Sequence, residues 1–239
     1  MERLDKYLAS HGTGSRKEVQ KLIKSGVVTV DGAVCKKTDE KIDPDTAQVT
    51  VNGQVVGERY VYLMLNKPAG VVSATEDRRD RTVLDILPEA YRRRGLFPAG
   101  RLDKDTEGLL IITNDGDLAH RMLSPKKHVE KQYVARLDGE VTPAMIERFR
   151  QGVVFADGTA CMPARLRIAE GGDSTVAVVG ICEGKFHQVK KMFAACGRNV
   201  VHLQRISVGN LYLDSNLPIG CCKSLTNLEV QQIFVGNIH

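Results

Sequence analysis

The sequence predicts a globular chain that mixes helices and strands in two unequal domains. Three observations carry this. The first 24 residues hold two apolar patterns with helical spacing. Valine-rich runs punctuated by Asp-Gly and Asn-Gly follow them. Beyond Arg59 the pattern changes to longer apolar runs separated by polar, glycine-containing loops. At roughly 150 residues per domain, 239 residues fit one large domain or two unequal ones, and are enough to bury a core without staples.

Composition removes several classes. Hydrophobic residues make up 42% and charged residues 26%, which is globular rather than disordered. Apolar runs such as Val176 to Cys182 fall far short of the ~20 residues of a membrane span. The start, Met1-Glu2-Arg3-Leu4-Asp5-Lys6, has no apolar signal region. The expectation is a soluble cytoplasmic protein. The six cysteines (35, 161, 182, 196, 221, 222) show no C-x-x-C pair, so they read as reduced and mostly buried rather than as zinc ligands or disulfides. Thirty-four Lys and Arg against 29 Asp and Glu leave a net charge of +5, which permits a nucleic-acid partner without requiring one. With no tryptophan and 5% aromatics, a broad base-stacking platform is not expected.

The elements follow in order. Leu4, Tyr7 and Leu8 are spaced i, i+3, i+4. Ser15 is a good N-cap for a second helix whose apolar face is Val19, Leu22 and Ile23. Lys17, Lys21 and Lys24 fall on its opposite arc. Residues 1–24 carry six basic groups (Arg3, Lys6, Arg16, Lys17, Lys21, Lys24) against three acids. Val27–Val30, Val49–Val51 and Val55–Val56 read as strands turned by Asp31-Gly32 and Asn52-Gly53. Together these make a compact module ending near residue 57, with Gln54–Arg59 as linker. In the remainder, Tyr60–Leu65 is a strand apolar on both faces, broken by Asn66-Lys67-Pro68-Ala69-Gly70. Arg78, Arg79 and Arg81, then Arg92, Arg93 and Arg94, are exposed basic clusters. Leu109–Thr113 is a buried strand, followed by a turn at Asn114–Asp117. Thr142-Pro143 opens a helix that ends near Gly152. Val189, Met192, Phe193 and Cys196 mark a helix stopped by Gly197.

Chemistry concentrates in two places. The first is Gly100-Arg101-Leu102-Asp103-Lys104-Asp105-Thr106-Glu107-Gly108. Its acids imitate the start of an EF-hand loop, but the twelfth position is Asn114 and no helix pair flanks it, so calcium is rejected. A solvated loop and a positioned catalytic carboxylate remain. The second is the stretch from Gly184 to Leu213, with five Lys or Arg and no acid, which favours an anionic ligand. Gly184-Lys185 is not a phosphate loop, since position 179 is Val and Phe follows the lysine. Lys190 lies at the edge of its helix's apolar face, where a lysine can reach into a cleft while its stem stays packed.

These motifs resemble known families. Arg3-Leu4-Asp5-Lys6-Tyr7-Leu8, Ser15-Arg16-Lys17 and Ile23–Gly32 resemble the S4-like RNA-binding module over about residues 2–50. Gly100-Arg101-Leu102-Asp103-x-Asp105-Thr106-x-Gly108-Leu109 resembles the signature of the ribosomal-RNA pseudouridine synthases. So do Asn66-Lys67-Pro68-x-Gly70, Glu130-Lys131-x-Tyr133 and Glu183-Gly184-Lys185-x-His187-Gln188-Val189-Lys190-Lys191-Met192-Phe193. His-Gln-Val-Lys before Met-Phe is most similar to the small-subunit branch, the RsuA family.

The resemblance implies an α+β fold: an S4-like module over residues 1–57 and a catalytic domain over 58–239, built on a mixed, largely antiparallel sheet. It implies that Asp103 is the catalytic aspartate, that Tyr133 stacks on the target base and that Lys190 pairs with Asp103 and holds it ionised. Leu203 would pack against the base. Arg101, Arg205, Lys67 and His187 would contact substrate or RNA. In the first module that role falls to Arg3, Lys6, Arg16, Lys17, Lys21 and Lys24. The implied reaction converts one uridine of 16S rRNA, uridine 516, to pseudouridine on a flipped-out base, with no metal or cofactor. The implied partner is 16S rRNA or a small-subunit assembly intermediate, met by a monomer away from any membrane. A 23S rRNA uridine, a non-catalytic RNA-binding factor and a metal-dependent nuclease are the alternatives.

Overall fold

The computed structural model describes residues 1–44, 46–56, 60–91 and 95–235. They form two compact units, Met1–Tyr60 and Val61–His239. The boundary expected at residues 57/58 lies outside the described residues, as do Arg59 of the expected linker and Arg92, Arg93 and Arg94.

In the first unit, β1 (Glu2–Arg3) leads into α1 (Leu4–Ser10), and α2 (Arg16–Ser25) follows. Ser15 caps α2 in a capping box: its hydroxyl accepts from the Glu18 amide, and the Glu18 carboxylate accepts from the Ser15 amide at 2.7 Å. Val19 and Ile23 are buried, while Lys17, Lys21 and Lys24 on the other side are exposed. Strands β2 (Val28–Val30), β3 (Ala33–Val34), β4 (Lys41–Ile42), β5 (Val49–Val51) and β6 (Gln54–Val55) complete the unit. Four of them make an antiparallel sheet in the order β3-β2-β5-β6, and β4 pairs with β1. Both hairpin turns have two consecutive residues at positive φ, Asp31 at 50° with Gly32 at 82°, and Asn52 at 52° with Gly53 at 78°. That is the twist that matches paired strands, and Asp-Gly and Asn-Gly reach it at little steric cost. Leu4, Leu8, Val19, Ile23, Val28 and Val49 form the core.

The second unit runs β7 (Tyr62–Lys67), β8 (Phe97–Ala99), β9 (Glu107–Thr113), α3 (Gly116–Leu123), β10 (Lys131–Leu137) and α4 (Pro143–Gln151). It continues with β11 (Arg165–Ile168), β12 (Val176–Ile181), α5 (Gln188–Ala195), β13 (Val200–Val208), β14 (Leu211–Tyr212), β15 (Cys222–Ser224) and α6 (Asn227–Gln232). A nine-stranded sheet orders these as β11-β12-β10-β13-β9-β7-β15, with β14 beside β13 and β8 beside β9. Every pairing is antiparallel except β9 with β13, which is parallel and touches only at Gln204–Glu107 and Arg205–Gly108. The fold is α+β.

The strand apolar on both faces is explained by its period of two. Leu63 and Leu65 enter one core with Leu110, Ile112, Phe149 and Phe193, while Met64 enters the other with Leu109, Ile111 and Val208. Two expectations need correction. β7 does not break at Asn66 but runs through Lys67, because Asn66 and Lys67 pair with Leu109 and Gly108 of β9. Residues 114–117 are not only a turn: Asp115 caps α3, accepting from the Asp117 and Leu118 amides at 3.0 Å each. Leu118, Ala119 and Met122 then give that helix a buried side.

Candidate active site

The loop between β8 and β9 is held from below. The Lys67 side chain is fully buried, and its Nζ donates to the carbonyls of Pro68, Asp103, Lys104 and Thr106 at 3.0, 3.1, 3.3 and 2.8 Å. The Ser73 hydroxyl donates to Leu102 O at 2.9 Å and accepts from Leu102 N at 3.1 Å. The Gly70 amide donates to Lys104 O at 2.7 Å. Every carbonyl gathered by one ammonium fixes one more backbone position around Asp103, so this carboxylate stands on a rigid loop. Burial pushes the Lys67 pKa down to about 8, while Asp105, Asp103 and Glu107 pull it back. At neutral pH it therefore remains an ammonium with three protons to share among its acceptors.

The first turn of α5 faces this loop. Lys190 Nζ lies 3.2 Å from Asp103 Oδ2 and 2.6 Å from Asp105 Oδ1. Burial opposes the Lys190 ammonium, but the bonds to Asp105 and Asp103 outweigh it and raise its pKa. The same Lys190 bond, against a smaller burial penalty, lowers the pKa of Asp105. His187, in the left-handed region at φ 52°, brings Nε2 to 3.6 Å from Asp103 Oδ1 and stacks on Phe186 with ring centres 3.8 Å apart. Buried Glu183 anchors this segment: it accepts from Met162 N and Gln188 Nε2 at 2.8 Å each, and it pairs with Lys185.

Asp103 opens onto a cavity of about 640 Å³. Its walls include Tyr133 of β10 and Leu203 and Arg205 of β13, with Arg101, His187 and Lys190 at the same cavity. Pairing of β10 with β13 sets Tyr133 opposite Arg205 and Ala135 opposite Leu203. A carboxylate beside an ammonium, above an aromatic and an aliphatic wall, can hold a flat polar ring and attack it or take a proton from it. No group of three or more His, Cys, Asp or Glu among the described residues could hold a metal ion.

Residues 61–195 match the model of the RNA pseudouridylate synthase family, and residues 2–46 match that of the S4 domain. The chain is 49% identical, over 95% of its length and 96% of the relative's, to an uncharacterised RNA pseudouridine synthase of Bacillus subtilis. The chain belongs to the RNA pseudouridylate synthase family. It is an RNA pseudouridine synthase with an N-terminal S4 domain. Ribosomal small subunit pseudouridine synthase A of Vibrio parahaemolyticus is 41% identical over 97% of this chain and 99% of that one. The crystal structure of a pseudouridylate synthase superposes with a TM-score of 0.68 at 33% identity, covering 98% of this chain and 100% of the other.

In this pseudouridine synthase, Asp103, Tyr133, Lys190, Arg101, Leu203, Arg205 and His187 meet at one cavity. Lys67 is the exception. It is not an RNA contact, because its side chain is spent inside the protein on backbone carbonyls. Arg205 lines that cavity from the interior: it is buried, and its Nε donates to Leu109 O at 2.7 Å. In the S4 domain, Arg3 and Arg16 are drawn to Asp5, whose side chain is fully buried, at 3.0 and 3.2 Å. Lys6 pairs with Glu2 at 3.2 Å. Lys17, Lys21 and Lys24 form no ion pair among the described residues and are the available cations. Glu183, Gln188 and Lys131 were missed as site residues. The signal for Lys131 was present: Lys131, Tyr133 and Ala135 share one face of a strand by period two.

Proposed function

We propose that this pseudouridine synthase modifies uridine 516 of 16S rRNA, with Asp103 as the catalytic carboxylate. The observation that carries the reading is Asp103 on its pinned loop, paired with Lys190, at the edge of the cavity walled by Tyr133 and Leu203. The choice of small-subunit RNA rests on the His187–Lys190 motif and on relatives named ribosomal small subunit pseudouridine synthase A. The protein acts as a cytoplasmic monomer on 16S rRNA or an assembly intermediate, with residues 1–57 gripping RNA and 58–239 performing the reaction.

The target uridine leaves its stack at a cost of a few kcal/mol and enters the cavity. Tyr133 and Leu203 sandwich the ring. The C1′–N1 bond breaks, the base turns, C5 bonds to C1′ as the bond from C1′ to Asp103 breaks or the 2′ proton returns, and the C5 proton is exchanged for one taken up at N1. Asp103 either attacks C1′ or takes the 2′ proton; both routes need it ionised, which the Lys190 ammonium favours. No atoms are added, so neither route requires an external reactant.

Tritium release from 5-tritiated uridine in separate 16S and 23S rRNAs tests this. Release from 16S rRNA alone is expected, and Asp103→Asn should abolish it while RNA affinity stays within about threefold. Release from 23S rRNA alone would overturn the target. Release from neither, including assembly intermediates, would favour an RNA-binding factor. Loss of affinity in the Asn variant would make Asp103 structural.

A further inference from the structure

Two cations inside the cavity have no acid to answer them. Lys131 on β10 is 5% exposed and Arg205 on β13 is 4% exposed, and both line the cavity. The Lys131 ammonium has no hydrogen bond or ion pair with any described residue. Arg205 spends Nε on Leu109 O, and its buried Nη2 has no partner. The acids lining this cavity are committed elsewhere, Asp103 to Lys190, Glu183 to Lys185 and Gln188, and Asp77 to the Arg79 and Asp80 amides. Burying two like charges without counter-charge costs stability. Such an arrangement is expected where the ligand supplies the negative charge.

Under the proposed reading, the ligand in this cavity is the uracil ring of the target. Its charge changes during reaction. When C1′–N1 breaks, the bonding pair leaves with the base, and the negative charge spreads from N1 onto the ring carbonyl oxygens. This holds whether Asp103 bonds to C1′ or removes the 2′ proton and later returns it. The charge is discharged when C5 bonds to C1′, as the bond from C1′ to Asp103 breaks or the 2′ proton returns; it reappears when the C5 proton departs and is quenched when N1 takes up a proton. We propose that Lys131 and Arg205 form an anion-stabilising subsite that holds the detached uracil while it turns. The assignment rests on the proposed placement of the target uridine beside Asp103. Burial, and then the nearby Arg205 charge, push the Lys131 pKa down to about 8, so at neutral pH it still carries the proton the role needs. Arg205 on β13 and the Cys182 thiol after β12 are the titratable groups facing it.

The test uses the full-length protein and the RNA that supports tritium release. Lys131→Met should slow single-turnover release about 100-fold, with RNA affinity within threefold, and Lys131→Arg should restore most of the rate. A target 5-fluorouridine leaves as a better-stabilised anion, so the gap between wild type and Lys131→Met should narrow when its conversion is followed by chromatography of digested nucleosides. Wild-type release should also fall as pH rises through about 8, where Lys131 and the loop-pinning Lys67 both lose their protons, and Lys131→Arg should remove the Lys131 share and make the fall shallower. That comparison stands even if the Met variant fails to fold. The subsite is overturned if Lys131→Met matches wild type, if its deficit is equal on both bases, or if the Arg variant shares the wild-type pH profile. Full activity in Asp103→Asn would instead overturn the placement of the uridine, and the subsite with it.

Discussion

A lysine beside a catalytic loop need not touch the ligand. Lys67 has the charge of an RNA contact and the burial of a core residue, and the burial decides. Its four carbonyl acceptors belong to Pro68 and to the loop that carries Asp103. Lys67→Met should destabilise the second unit by about 4 kcal/mol, at about 1 kcal/mol for each hydrogen bond lost, and should slow isomerisation by loosening Asp103. Binding measured against salt distinguishes this from a phosphate contact. The slope of log K against log salt should stay at the wild-type value, whereas loss of a phosphate contact would reduce it by roughly one. Lys190 shows the complementary case: a half-buried side chain reaches from α5 to two carboxylates that no local pattern links to it.

Two junctions between elements carry the molecule. The first joins β9 to β13. At Gly108 φ is +99°, and an added Cβ would lie 2.3 Å from Arg205 O. Gly108→Ala should therefore cost about 3 kcal/mol or more from backbone strain and overpacking, seen as a fall in melting temperature, and should displace Arg205 from the cavity. The second junction ties α1 to α2 through Asp5, which accepts from Arg3, Arg16 and Gln20. Hydrogen bonding from Arg3, against burial and helped by Gln20 and Arg16, holds its carboxyl well below the usual carboxylate range. Its folded pKa is thus below its unfolded one. The unfolded chain takes up the proton first, so this stabilisation is full above about pH 4 and is lost as the pH falls further. Protection factors of the α1 and α2 amides, which correct for the intrinsic slowing of exchange in acid, should fall below that pH in the wild type. Asp5→Asn should already exchange faster at neutral pH and show a weaker acid dependence.

For the whole molecule, the proposed division of labour is a matter of charge. The net charge of +5 is too small to identify a partner, but its gathering on α2 is informative. Deleting residues 1–57 should weaken RNA binding at least about tenfold, while isomerisation at saturating RNA persists. Unchanged affinity for the cognate RNA would remove the role given to the first module. Substituting Lys17, Lys21 and Lys24 together by Gln should lower the salt slope by roughly two to three. The basic count read from residues 1–24 overstated this surface, because three of its six cations are already answered by Asp5 and Glu2.

Local features were legible because their causes are local. Helix spacing with the Ser15 and Thr142 caps, the Asp-Gly and Asn-Gly turns, and the two-faced strands all follow from neighbours along the chain. The motif around Asp103 was legible as well, since its residues are contiguous. What no local pattern contained was the meeting of chain-distant groups: Lys190 with Asp103, Tyr133 opposite Arg205, and Lys67 beneath the loop. Strand order and burial decide these. They also decide whether a given lysine reaches solvent, a carboxylate or the interior, since a side chain's charge is set by its type but the group that answers it is set by the fold.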